Sequence, residues 1–239
     1  MVRFDSGGDE YQGAEVQHSS PEGRDVQAHA GVAEASATAE SASIQTTTHL
    51  WLIWASIAVN QGIAARRARD GALRASDSAE VSHWLRKEFD ASLVAVAASA
   101  HALDAFYGST AVPQSLRDTW FGKRTKRHGK IREALKLLFK TGPVQTQWVT
   151  DFEWLFDLRD AAAHPEESPQ QTVHHPLGTN TAPEFVDYSM ESAARAGDLM
   201  LAVLRWCTDN PRSSQPTALQ WAAAHERDIV ELERRWTQA

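Results

Sequence analysis

SAEVSHWLRKEFDASLVAVAASAHALDAFYG, residues 78–108, decides the fold. Val81, Leu85, Phe89, Val96, Ala100, Leu103 and Tyr107 recur at helical spacing, and the run closes on Gly108. The stretch is too long and too rich in alanine for a strand. It predicts an amphipathic helix over about 78–107. Similar runs lie on either side, punctuated by prolines at 113, 143, 165, 169, 176, 183, 211 and 216. They predict helices near 47–70 (stripe Leu50, Trp54, Ile57, Ala64), 125–141 (Ile131, Leu135, Leu138) and 145–163 (Trp148, Phe152, Leu155, Phe156). Two more fall near 189–208 (Ala193, Leu199, Val203, Trp206, with Ser189 as N-cap) and 217–237 (Ala222, Ile229, Leu232, Trp236). The expected architecture is all-α, an antiparallel bundle of five to six helices over residues 47–239.

Residues 1–46 differ in kind. They are rich in Ser, Gly, Ala, Glu and Gln and poor in large apolar residues, so they cannot offset their ordering entropy by burial. A disordered acidic tail is expected there. Residues 1–48 carry eight acids against Arg3 and Arg24, a net of −6, which leaves only −1 of the chain's −7 for residues 49–239. The bundle is thus nearly neutral, and a nucleic-acid partner is compatible with it. Cys207 is the one cysteine, which excludes an internal disulfide and the cysteine-rich zinc patterns. Residues 4–13 (FDSGGDEYQG) lack a signal peptide's apolar stretch, and the expected location is cytoplasmic. Leu50–Val59 (LWLIWASIAV) covers about half of the roughly 20 residues that a bilayer core needs, so no membrane span is expected.

The helix at 145–163 contains an anomaly. Its stripe runs Trp148, Phe152, Leu155, and the next position on that face is Arg159. A buried arginine requires an acid, an interface or an anionic ligand. Asp160 and His164 are four apart and fall on one face, where the carboxylate can orient the imidazole. Ala161, Ala162 and Ala163 permit close approach, and Pro165 ends the helix so that His164 sits at the negative end of its dipole.

Arg159-Asp160-x3-His164, late on a helix of an all-α bundle and led in by Trp154-Leu155-Phe156-Asp157-Leu158, resembles the signature of the HEPN superfamily. The resemblance covers roughly residues 78–208, its specific part being six residues. It implies a metal-independent endoribonuclease, with no cofactor and no metal, working as a homodimer whose two Arg/His pairs share one cleft. It also implies a toxin–antitoxin or phage-defence setting with a possible antitoxin or defence partner protein. On this resemblance Arg159 clamps phosphate, His164 is the acid or base, and Asp160 orients it. The chemistry is sound: histidine titrates near neutral pH, and arginine offers a permanent charge with forked donors for phosphate oxygens. Glu166 stands where nucleotidyltransferase-paired toxins of the family often carry tyrosine, so control through that tyrosine is not expected. Many members of the family are also inactive binding domains.

A second feature points to RNA. Lys123, Arg124, Lys126, Arg127, Lys130 and Arg132 form a run without an acid until Glu133, a density that attracts phosphates. The plainer alternative is a solvated basic face. His101 and Asp104 either line the same cleft, or His101 is a satisfied core histidine. His164, Glu166, Glu167, His174 and His175 show no regular metal-ligand spacing. No phosphate-cradling Gly-rich loop and no nucleophile elbow occur. The alternative function is a catalytically silent helical module binding protein or RNA, with Arg159 in a salt bridge inside the bundle and His164 at the surface.

Overall fold

The computed structural model describes residues 49–109, 126–140, 144–164 and 171–238. The expected tail, Lys123, Arg124 and Glu166 lie outside the described residues. The fold is all-α. Its helices are α1 (Leu50–Arg74), α2 (Ser78–Ser109), α3 (Arg127–Leu138), α4 (Val144–Ala163), the short α5 (Pro183–Asp187), α6 (Met190–Asp209) and α7 (Pro216–Thr237). The six long helices match the six expected runs to within a few residues. The segment between α4 and α6, where the proline spacing marks no long helix, holds a small antiparallel hairpin, β1 (Val173–His174) with β2 (Asn180–Thr181). Its turn places Gly178 at φ +81°, a conformation that favours glycine.

The α1–α2 hairpin is the frame. Asp77 caps α2 by accepting the Glu80 amide at 2.8 Å, and the Glu80 carboxylate accepts the Ser76 amide at 3.0 Å. On α1 the buried residues include Trp51, Ala55, Ala58, Gly62, Ala65, Arg69 and Ala72, spaced alternately four and three apart. On α2 they include Glu88, Ser92, Ala95, Ser99, Ala102 and Phe106 in the same rhythm. That repeat is a coiled-coil seam built largely from small residues, which lets two long helices approach closely. Trp51 meets Phe106 near one end, with ring centroids 6.4 Å apart, and Arg69 meets Glu88 near the other. These contacts fix one antiparallel register.

The expected face of α1 is corrected by this seam. Leu50, placed on the core stripe by its size, is 59% exposed, whereas Trp51 is fully buried. The core face is rotated toward the alanines because hydrophobicity alone favours the larger side chains, while helix–helix contact here selects the smaller ones.

The other helices close over the frame. Trp236, near the end of α7, lies against Gly62 of α1 and Gly197 of α6, where a Cβ would stand 2.4 and 2.7 Å from its ring. Its Nε1 donates to Asp198 at 2.7 Å, its carbonyl accepts from Arg66 Nη1 at 2.9 Å, and the Arg66 guanidinium lies 3.9 Å from its ring centroid. On α4, Trp148, Phe152, Leu155 and Phe156 are buried as their spacing predicts. Near that helix's end, the Tyr188 hydroxyl donates to the Leu158 carbonyl at 2.8 Å. Tyr188 therefore fixes the backbone one residue before Arg159. Among the described residues α2 is the one helix long and apolar enough to cross a membrane, and 56% of that apolar window is buried in the bundle.

Candidate functional site

Arg159 lies at the edge of a groove of about 510 Å³ between α1, α2 and α4. The walls are Trp54 from α1, Leu93, Val94, Ala97, Ala98 and His101 from α2, and Arg159, Asp160, Ala162 and Ala163 from α4. The small Ala162 and Ala163 leave the space open beside the guanidinium. Arg159 stacks on Phe156, one turn back, at 4.8 Å from the ring centroid. Its Nε and Nη2 donate to Asp160 Oδ1 at 3.0 and 2.6 Å. The Arg159 side chain is 19% exposed and that of Asp160 60% exposed, so this ion pair sits at the rim and not inside the bundle.

This pairing changes one expected role. Asp160, expected to orient His164, gives its side-chain bonds to Arg159; the His164 amide donates to the Asp160 carbonyl at 3.0 Å through the backbone. His164 is exposed just beyond the last turn of α4 and is not part of the groove lining. The motif's arginine and its neighbour are therefore brought together, while its histidine stands apart at the helix end.

His101 does line the groove. Its ring lies on the Trp54 indole with centroids 4.9 Å apart and planes tilted by 32°. The same two residues also wall a second depression, of about 480 Å³, together with His49, Asp104, Ala105 and Arg127. The Trp54–His101 pair is thus the shared divider of two adjoining hollows, with Arg159 on one side and Arg127 on the other.

The described part of the basic run meets acids. Arg127 bonds Asp104 and lies 4.7 Å from the Tyr107 ring centroid. Lys126 faces Asp157 at 3.4 Å and Glu153 at 3.8 Å, all three more than half exposed. Exposed pairs of this kind contribute about 0–1 kcal/mol and exchange readily for other ions. Lys130 is half-buried on the same first turn. Arg132 packs beside Leu135, Trp148 and Phe152, with its Nε buried and unpartnered among the described residues.

A charged cluster that the large apolar residues do not mark joins α1, α2 and α6. Arg69, 7% exposed, donates to Glu88 through Nε and Nη2 at 2.8 and 2.6 Å, and to Glu191 through Nη1 and Nη2 at 2.7 and 2.8 Å. Glu88 Oε1 also accepts the Met190 amide at 2.9 Å, tying α6 to the hairpin. Burial opposes the Arg69 charge, yet its bonds to both carboxylates outweigh it and hold the guanidinium above its ordinary pKa. The fully buried His175 completes the cluster, its Nε2 3.8 Å from Glu88 Oε1. Its Nδ1 accepts the Leu177 amide at 3.2 Å, which puts the proton of the neutral ring on Nε2. Burial lowers its pKa, and the nearby Glu88 carboxylate only partly offsets that. The signal in the sequence was Arg69's place in the four-and-three repeat of α1.

Among the described residues, no three His, Cys, Asp or Glu side chains stand together where a metal could be held. Compared with protein-family models, curated proteins and solved structures, the chain matches none.

Proposed function

We propose that the chain is a metal-independent RNA endonuclease of the HEPN kind, acting as a toxin or phage-defence effector. Arg159 is its phosphate clamp and His164 its acid or base. The observation that supports this reading is the contrast between two inward arginines. Arg69 spends four of its five N–H donors on two carboxylates, deep in the bundle. Among the described residues Arg159 pairs with one exposed aspartate at the rim, beside an open groove. A phosphate displaces such a pair at small cost and gains a forked, charge-assisted contact. The Asp160 carboxylate and the Phe156 face keep the guanidinium in place until then.

The reaction is transfer within the RNA strand. The 2′-oxygen attacks phosphorus, the P–O5′ bond breaks, and the products are a 2′,3′-cyclic phosphate and a 5′-hydroxyl. Arg159 stabilises the crowded phosphorane. A homodimer through the α4 face, with residues 47–239 sufficient for it, brings His164 of one copy toward the cleft of the other. The basic run starting at Lys123 lends non-specific attraction for the strand.

A second reading rests on the position of His164. Exposed at the end of α4 and outside the groove lining, it fits a silent module in which the groove binds RNA or protein without cutting. Cleavage of single-stranded RNA in excess EDTA by the wild-type chain, Arg159→Ala and His164→Ala separates the two readings.

A further inference from the structure

We infer that His101 is a proton-transfer group of the Arg159 groove, placed there by the α1–α2 register and not by the α4 motif. The inference rests on the RNA-cleaving reading and adds to it a residue outside Arg159-x4-His164. Among the described residues lining that groove, His101 is the one imidazole. Its position follows from the seam: the Trp51–Phe106 and Arg69–Glu88 contacts set the hairpin so that Trp54 falls against His101. Stacking on the indole fixes the plane of the ring, and with it the plane of both ring nitrogens. The charged and titratable groups around it are His49 ahead of α1, Asp104 on α2, Arg127 on α3, and Arg159 and Asp160 on α4.

Strand cleavage without a metal moves two protons. One leaves the 2′-hydroxyl as its oxygen bonds to phosphorus; another must reach the 5′-oxygen, which departs with the electrons of the P–O5′ bond. One imidazole serves one of these at a time. His101 takes the 2′-hydroxyl proton where the phosphate meets Arg159, and His164, at the exposed end of α4, protonates the leaving oxygen. Trp54, packed against the His101 ring and itself part of the groove wall, restrains the imidazole and offers an aromatic surface to a neighbouring base. No oxidant, metal or further reactant is needed.

The test uses the full chain and a single-stranded RNA of mixed sequence, under single-turnover conditions in excess EDTA. His101→Phe retains the stack on Trp54 and removes proton transfer; His101→Gln retains polarity; His101→Ala opens room for added imidazole. The inference predicts that His101→Phe and His101→Gln each cut at least about 100-fold more slowly than wild type with helicity unchanged. It predicts that the acidic limb of the pH–rate profile is lost, and that imidazole restores cleavage to His101→Ala. A His101→Phe rate within twofold of wild type, with the acidic limb intact, overturns it and leaves the Arg159–His164 reading standing. Slow variants that keep the limb and ignore imidazole also overturn it, since they mark a structural role. A wild-type chain that does not cut RNA removes the parent reading and this inference together.

Discussion

Arg69 and Glu88 face each other across the α1–α2 seam through two parallel hydrogen bonds of 2.8 and 2.6 Å, with both side chains buried. The pair is the charged exception in a seam made largely of alanine and serine, and it specifies one register, as a polar residue does in a coiled coil. Breaking a buried pair by removing one partner costs about 3–5 kcal/mol, because the other charge is left uncompensated. Glu88→Ala is therefore expected to lower the urea midpoint sharply. Glu191→Ala, which removes a half-exposed partner, should cost much less. Equal losses in urea denaturation would show that burial of Glu88 carries no special weight.

Acid sensitivity follows from His175. Its folded pKa lies below the ordinary 6.5, so the unfolded chain binds the proton first as pH falls. Its contribution is fully present above about pH 6.5 and is lost as pH drops toward the lowered value, at up to about 1.4 kcal/mol per pH unit. Glu191, whose carboxyl is held below 4.5 by Arg69 against the effect of burial, adds a separate loss only at lower pH. Urea midpoints at pH 7.5, 6.5 and 5.5 should fall more steeply for wild type than for His175→Gln. Parallel curves would contradict the assignment.

The Trp236 seat requires glycine on two helices. A Cβ at position 62 would stand 2.4 Å from the Trp236 ring, which is buried and anchored to Asp198. Overpacking costs about 1–3 kcal/mol and the gain in helix propensity returns about 1, so Gly62→Ala should destabilise by up to about 2 kcal/mol. Combining it with Trp236→Leu should recover part of that loss. A thermal midpoint raised by Gly62→Ala alone would refute the close packing.

Much of this was legible in the sequence, and the misses have causes. Helix positions were readable because proline spacing and large apolar residues mark them, as with Phe152, Leu155 and Phe156 of α4. The face of α1 was not, since Leu50 and Trp54 outweigh Ala55 and Ala58 in any hydrophobicity count while the seam selects small side chains. The hairpin at residues 173–181 escaped notice because four residues of strand carry no periodicity. Arg159 stood out because aromatic residues surround it. Arg69, the more deeply buried arginine, did not, because its neighbours in the repeat are alanine and glycine. That His101 stacks on Trp54 depends on the pairing of two helices, which no local pattern encodes.

The basic run makes a claim about salt. Replacing Lys123, Arg124, Lys126 and Arg127 by glutamine should weaken single-stranded RNA binding about equally across sequences. Each lost phosphate contact should flatten the slope of log K against log salt by about 0.7. An unchanged slope would mean that Lys126 and Arg127 serve only their local partners, Asp157 and Asp104.

Cleavage of single-stranded RNA in excess EDTA, with the new ends identified, decides whether Arg159 and His164 form a nuclease site. The wild-type chain should cut, leaving 2′,3′-cyclic phosphate and 5′-hydroxyl ends. Arg159→Ala and His164→Ala should each slow cutting by at least about 100-fold with helicity unchanged. No cutting by the wild-type chain, or cutting that survives both substitutions, would contradict it.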